Sequence, residues 1–210
     1  SQTNQDWAFF DTEAPKSDQT KLDIHLKAWA AVGPIPTHIY LDPVLRLNIN
    51  EVPLLNLPPW LGIDRALAGW GAFKKIQVKK NNSKGILIAD AGTVFSITRI
   101  QANGEFAGGK LLPGINLQLK AMSEGTRSLS EPNTLFVPEK FFPKNTQEAM
   151  LRGTIDSLIG ALIESQKQSN DPIWLCGGNA SIIYKELQKR TIEVKHYPNL
   201  VLEGMIDLKS

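Results

Sequence analysis

The chain is poor in the residue types that mark several common functions. Among its 210 residues there is one cysteine, Cys176, so no disulfide within the chain is possible and the expected setting is a reducing cytoplasm. Cys176 ends the apolar run Ile173-Trp174-Leu175-Cys176, where it reads as a buried small hydrophobe and not as a nucleophile. The three histidines, His25, His38 and His196, are scattered without the spacing of metal ligands and read as structural. No run approaches the ~20 consecutive apolar residues that cross a bilayer, so no membrane partner is expected. Charge of one sign is lacking too. Lys and Arg total 23 against 21 Asp and Glu, for a formal net charge of +2, and the basic residues are interleaved with acids, which argues against a nucleic-acid partner. The densest basic group, Lys74, Lys75, Lys79, Lys80 and Lys84, borders the turn-rich Asn81-Asn82-Ser83 and reads as a solvated face and loop.

What is present suffices for a core. With 42% hydrophobic residues, the chain fits one large domain or two small ones that share a cleft. The first sixty residues carry an apolar cluster at Trp7-Ala8-Phe9-Phe10, read as a short strand, and Leu22, Leu26 and Trp29 at helical spacing, which predicts a helix within 22–32. Prolines at 34, 36, 43, 53, 58 and 59 then imply a meandering connection.

From Leu61 the pattern sharpens. Asp64 to Phe73 reads as a helix with Asp64 at its N-cap. Gly85 to Ala89 is a strand covered on both faces, and Val94 to Ile100 is a second strand that ends at an Asn103-Gly104 hairpin turn. Gly108-Gly109 and Pro113-Gly114 punctuate the next stretch, before a helix near 115–122. Leu151, Ile155, Leu158, Ile159 and Leu162 form one apolar stripe on a helix over 146–168. A strand at 173–176, a Gly177-Gly178 turn, a helix over 181–190 and a strand over 192–197 complete the chain. Strands alternating with helices, plus one hairpin, indicate α/β architecture with a mixed sheet.

Three segments have the residue types that phosphoryl transfer needs. Gly62-Ile63-Asp64-Arg65 puts a carboxylate beside a guanidinium at a helix start. The arginine can hold a substrate carboxylate through two hydrogen bonds, and the aspartate can orient an alcohol and accept its proton. Taken alone, the same residues are an N-cap and a surface arginine. Asp90-Ala91-Gly92-Thr93 comes directly after a buried strand; glycine allows close backbone approach to a phosphate, threonine adds a donor and aspartate can hold a cation. An ordinary turn has the same form. Gly177-Gly178 suits either a nucleotide or tight packing. The 26 residues between Asp64 and Asp90 point to two elements that meet at a cleft, not to paired carboxylates on one helix.

The motifs in order are more specific. "LGIDRALAGWGA" resembles the G-x-D-R segment of type III pantothenate kinases, and "ADAGTVFSITRI" with "GEFAGGKLLPGINLQLKAMSEGTRSL" resembles that family's D-A-G-T and G-G-x-I-x-P-G stretches. "RGTIDSLIGALIE", "WLCGGNASII" and "YPNLVLEGM" are similar to its remaining motifs, and the likeness runs from Val52 to Met205. It implies membership of the acetate and sugar kinase, heat-shock protein and actin superfamily. It further implies two ribonuclease H-like domains, 1–84 and 85–210, with mixed sheets, flanking helices and an active site in the cleft between them. Asp64 is then the base facing the pantothenate hydroxyl. Gly62, Ile63, Asp64 and Arg65 contact pantothenate, Arg65 at its carboxylate, and Thr154 helps close that site. Thr93 touches the ATP phosphates, Gly177 and Gly178 flank the adenosine, and Asp90 binds a monovalent cation, potassium or ammonium. ATP with Mg²⁺, a homodimer and a cytoplasmic location complete what the resemblance implies.

Two departures stand beside it. The family's opening D-x-G-N-[ST] phosphate loop does not occur, and "QTNQDWAFF" resembles the stretch just after that loop in relatives. The expectation is a truncated chain whose N-terminal domain lacks its first strand and phosphate loop. The pocket tyrosine that some relatives carry before G-x-D-R has no clear counterpart in "NLPPWL". A non-catalytic nucleotide-binding or regulatory protein on the same fold is the competing expectation.

Overall fold

The apolar run Ile86-Leu87-Ile88-Ala89 is buried on both of its faces and becomes the central strand of the molecule, β1 (Ile86–Ala91). The computed structural model describes residues 26–33, 41–77 and 84–209. Gly92 and Thr93 turn the chain into β2 (Val94–Ile100), antiparallel to β1, and β3 (Phe106–Pro113) returns antiparallel to β2. On the other side β4 (Ile173–Cys176) and β5 (Val194–His196) add in parallel, giving the order β3-β2-β1-β4-β5. A mixed sheet with flanking helices is the α/β architecture that the sequence pattern indicates.

Strand parity divides the sheet into two faces. Leu87, Ala89, Phe95, Ile97, Ile173 and Leu175 meet the helices α2 (Ile115–Gly125), α3 (Thr146–Ser169) and α4 (Ala180–Lys189). The predicted stripe of α3 lies in this core, with Leu151, Ile155, Leu158, Ile159 and Leu162 all buried. Asn145 caps α3, its Oδ1 accepting from Glu148 N at 2.9 Å, and Asn170 ends it in the left-handed conformation at φ 56°. Ile86, Ile88, Ile100, Trp174 and Cys176 face the other way, against α1 (Ile63–Gln77) and α5 (Leu200–Lys209). Each Leu or Ile buried in this manner stabilises the fold by ~1.5–3 kcal/mol.

Two expectations are corrected, and one helix is new. Among residues of the helix foreseen within 22–32, those from 26 onward are not helical. Trp29 is instead bridged to Arg46: its N donates to Leu45 O at 3.0 Å, its carbonyl accepts from Leu47 N at 2.8 Å, and its indole Nε1 donates to Asp42 O at 2.6 Å. That tertiary pairing overrides the local spacing. Gly108-Gly109 does not break the chain but lies within β3. α5 was not foreseen; it crosses α1 closely, because a Cβ on Gly204 would collide with Leu67 O and one on Gly71 would stand 2.8 Å from Leu200 O. The Trp7–Phe10 strand, His25 and His38 lie outside the described residues.

Candidate active site

Parity places Asp90 on the α1 face, since it succeeds Ile86 and Ile88 at alternate positions of β1 and pairs with Ser96 on β2 and Cys176 on β4. The apolar face ends there. Ser96 and Thr98, both buried, continue a polar strip along β2 beneath the start of α1. α1 begins at Ile63, so Asp64 sits inside the first turn and not at the N-cap expected for it. Its Oδ1 accepts from Arg65 N at 2.8 Å, a favourable place for negative charge at the positive end of a helix.

The two aspartates share one electrostatic environment. Burial, and after it the charge of Asp64, push the Asp90 carboxyl up to about 6. The thiol of Cys176, next in the same space, is raised well above its ordinary range by burial and then by Asp90 and Asp64, so it stays protonated and inert. Burial lowers the Arg65 pKa while Asp64 opposes the shift. The Arg65 side chain reaches β2, where its Nε donates to Thr98 Oγ1 at 2.9 Å.

Backbone turns close around Asp90 at the ends of the strands. Gly177 comes after β4 at φ 91°, and a Cβ there would collide with Asp90 Oδ1 and stand 2.7 Å from Ala91 N. Only glycine allows that passage over the carboxylate. Asn179 N donates to Ala91 O at 3.0 Å, and Gly114 N donates to Thr93 O at 2.9 Å, so the loops after β1, β3 and β4 are tied together. Thr93 and Gly178 are exposed at this rim. Thr154 is apart: it lies on α3, which packs on the opposite face, and its hydroxyl is buried without a hydrogen-bond partner among the described residues.

The structure thus gathers Gly62, Ile63, Asp64, Arg65, Asp90 and Gly177 on one face, with Thr93 and Gly178 at the edge. Ser96, Thr98, Gly109 and Gly114 belong to the same surroundings and were missed, because a threonine in a strand and glycines after a turn carry no signal of their own. Among the described residues no three His, Cys, Asp or Glu side chains form a metal cluster. One or two carboxylates that await the remaining oxygens from a nucleotide are, however, what a Mg²⁺ site of a phosphotransferase needs. A buried carboxylate with a raised pKa is likewise a group that a nearby cation would stabilise.

The model of the type III pantothenate kinase family matches residues 35–168. A type III pantothenate kinase of a Synechococcus species is 31% identical over 185 residues, covering 84% of this chain and 72% of that protein. The chain belongs to the type III pantothenate kinase family. The enzyme of that name from Synechococcus elongatus is 33% identical over 168 residues, covering 78% of this chain and 65% of its own length. The matches therefore span about two thirds of the relatives' lengths. Family membership supports a kinase, that is, a phosphotransferase, with ATP use implied. A solved structure from Campylobacter jejuni, assigned to the Baf family of transcriptional activators, aligns over 79% of this chain and 72% of its own at a TM-score of 0.58 and 22% identity, which shows a shared fold. Among the described residues no helix is long and apolar enough to cross a membrane.

Proposed function

We propose that this pantothenate kinase family member transfers the γ-phosphoryl group of ATP to the hydroxyl of pantothenate at the N-terminus of α1, giving 4′-phosphopantothenate, the first step of coenzyme A biosynthesis. The observation that carries the reading is that Asp64 in the first turn of α1 and Asp90 at the end of β1 come from different elements to one face of the sheet, where the charge of Asp64 helps raise the Asp90 carboxyl. Asp64 orients the hydroxyl and takes its proton as the oxygen bonds to phosphorus and ADP leaves. A carboxylate is a weak base toward an alcohol, so most of its contribution is positioning until the transition state has formed. Arg65 holds the substrate carboxylate, with Gly62 and Ile63 beside it. Thr93 meets the phosphates, and Gly177 and Gly178 flank the adenosine, while Thr154, on the opposite face of the sheet, takes no part in this arrangement. Asp90 holds a monovalent cation, potassium or ammonium, and Mg²⁺ accompanies ATP; both would supply positive charge against the phosphates. The chain divides into ribonuclease H-like parts near residue 84 and works as a cytoplasmic homodimer.

A coupled assay of ADP release with pantothenate tests the reading. Turnover is expected, with Asp64→Asn lowering it by at least ~10²-fold, the scale of a general base, at an unchanged melting temperature. Near-normal turnover in that variant removes Asp64 from the mechanism. The competing reading is a non-catalytic nucleotide-binding or regulatory protein on the same fold. ATP binding with no ADP release in the presence of pantothenate would decide for it.

A further inference from the structure

Arg65 does not reach into the site unsupported. Its Nε donates to Thr98 Oγ1 at 2.9 Å, and Thr98 is only 1% exposed. On β2, Thr98 is flanked by Ile88 of β1 and stands directly opposite Gly109 of β3. A Cβ on Gly109 would collide with the Ile97 carbonyl oxygen and come within 2.5 Å of Arg65 Nη2. Nε and Nη2 lie on the same edge of a guanidinium. That edge therefore rests on the Thr98–Gly109 cross-strand pair, one residue supplying an acceptor and the other an absence of side chain. The Arg65 side chain makes no further hydrogen bond among the described residues, so the Nη1–Nη2 end keeps its paired donors.

We infer that Thr98 and Gly109 are positioning residues that hold the Arg65 fork for a carboxylate, and so set the site's preference for an acid-bearing alcohol over a neutral one. The inference rests on the pantothenate reading above and deepens it. A planar fork recognises a carboxylate through two parallel hydrogen bonds only when its plane is fixed. Left untethered, the same charge acts as a mobile cation and discriminates less. A purely structural threonine would behave differently: valine fills nearly the same volume in a strand, and replacing it would alter stability and leave substrate preference alone.

The test is calorimetric binding of pantothenate, and of its analogue with the acid reduced to a primary alcohol, to the full chain and to Thr98→Val and Thr98→Ser. The unmutated chain should prefer the acid. Thr98→Val should bind pantothenate about tenfold more weakly, the scale of one lost charged hydrogen bond, while the neutral analogue stays within about twofold. Thr98→Ser, which restores the acceptor, should recover the preference. If Thr98→Val does not fold, Thr98→Ala removes the same oxygen without overpacking and carries the same expectation. A hydroxyl-free variant that keeps the full preference for the acid overturns the inference and leaves the proposed function standing. Failure of the unmutated chain to bind pantothenate overturns both.

Discussion

Two groups of buried charge, one on each face of the sheet, respond to burial in opposite ways. On the α3 face Arg152 donates through Nη1 to Glu186 Oε2 at 2.8 Å and through Nη2 to the Pro138 carbonyl, and Lys189 reaches Glu186 Oε1 at 2.6 Å. Arg152 and Arg190 both lie over the ring of Phe141, at 5.4 and 5.3 Å. Burial alone would raise the Glu186 pKa, but hydrogen bonds from Lys189 and Arg152 outweigh it and the carboxyl ends below its ordinary range. On the α1 face Asp90 finds no such partner among the described residues; burial and the like charge of Asp64 act together and raise it. The first cluster has its charges paired, with Arg152 Nε alone left without a hydrogen-bond partner among the described residues, and it pins the loop before α3 to α3 and α4. The second is left with charge to be balanced, which is what a site awaiting a cation or a proton requires.

The largest effect expected from this contrast is at the charge-paired cluster. Arg152→Ala strands a nearly fully buried Glu186 with only Lys189 beside it, and chemical denaturation should show a loss of roughly 3–5 kcal/mol. Replacing both partners with apolar residues, Arg152→Met with Glu186→Leu, should cost less than the single change, since no charge is then left unpaired. A single change worth under ~1 kcal/mol would erase the distinction between the two clusters.

The next effect has the opposite sign. Because the folded pKa of Asp90 lies near 6 against an ordinary 3.8, the folded state holds this proton more tightly than the unfolded chain. Its stabilising contribution is therefore complete below pH ~4, is lost as the pH rises to about 6, and stays lost above that. Asp90→Asn carries no such titration. Its stability relative to the parent should be near even at pH 4 and higher by roughly 2–3 kcal/mol at pH 8. Parallel pH–stability curves for the two proteins would show that Asp90 is not strained by its surroundings.

How much of this was legible before the structure differs by region. The α3 stripe and the strand at 86–89 were readable because periodicity and core burial coincide there. Asp64 and Asp90 were readable because their neighbours, Arg65 and Gly92-Thr93, make a pattern with a chemical purpose. Trp29 was not, since its partners at 45–47 lie across a proline-rich stretch and local spacing says nothing of them. α5 was hidden by Gly204, which weakens helix propensity yet is what admits the backbone of Leu67. Gly109 misled in a similar way: glycine looks like a break until the Ile97 carbonyl and Arg65 Nη2 are seen against it. The Arg152–Glu186 cluster had no signature, because its 34-residue separation is closed only by packing.

The smallest effect tests whether the unbalanced charge at Asp90 is met by a cation. A ligand that binds only the folded state, present at ten times its dissociation constant, adds about 1.4 kcal/mol of stability. Exchanging sodium for potassium at constant ionic strength should then raise the parent's denaturation midpoint at pH 8. The gain should shrink at pH 5, where most of Asp90 is protonated and the attraction is gone. Asp90→Asn should show no gain at either pH. Constant ionic strength matters here, because screening of exposed pairs such as Lys120–Glu124 would otherwise shift both proteins alike. Equal stabilisation of parent and Asn variant by potassium would place the ion elsewhere, and the raised carboxyl of Asp90 would then be tuned by Asp64 and burial for its proton alone.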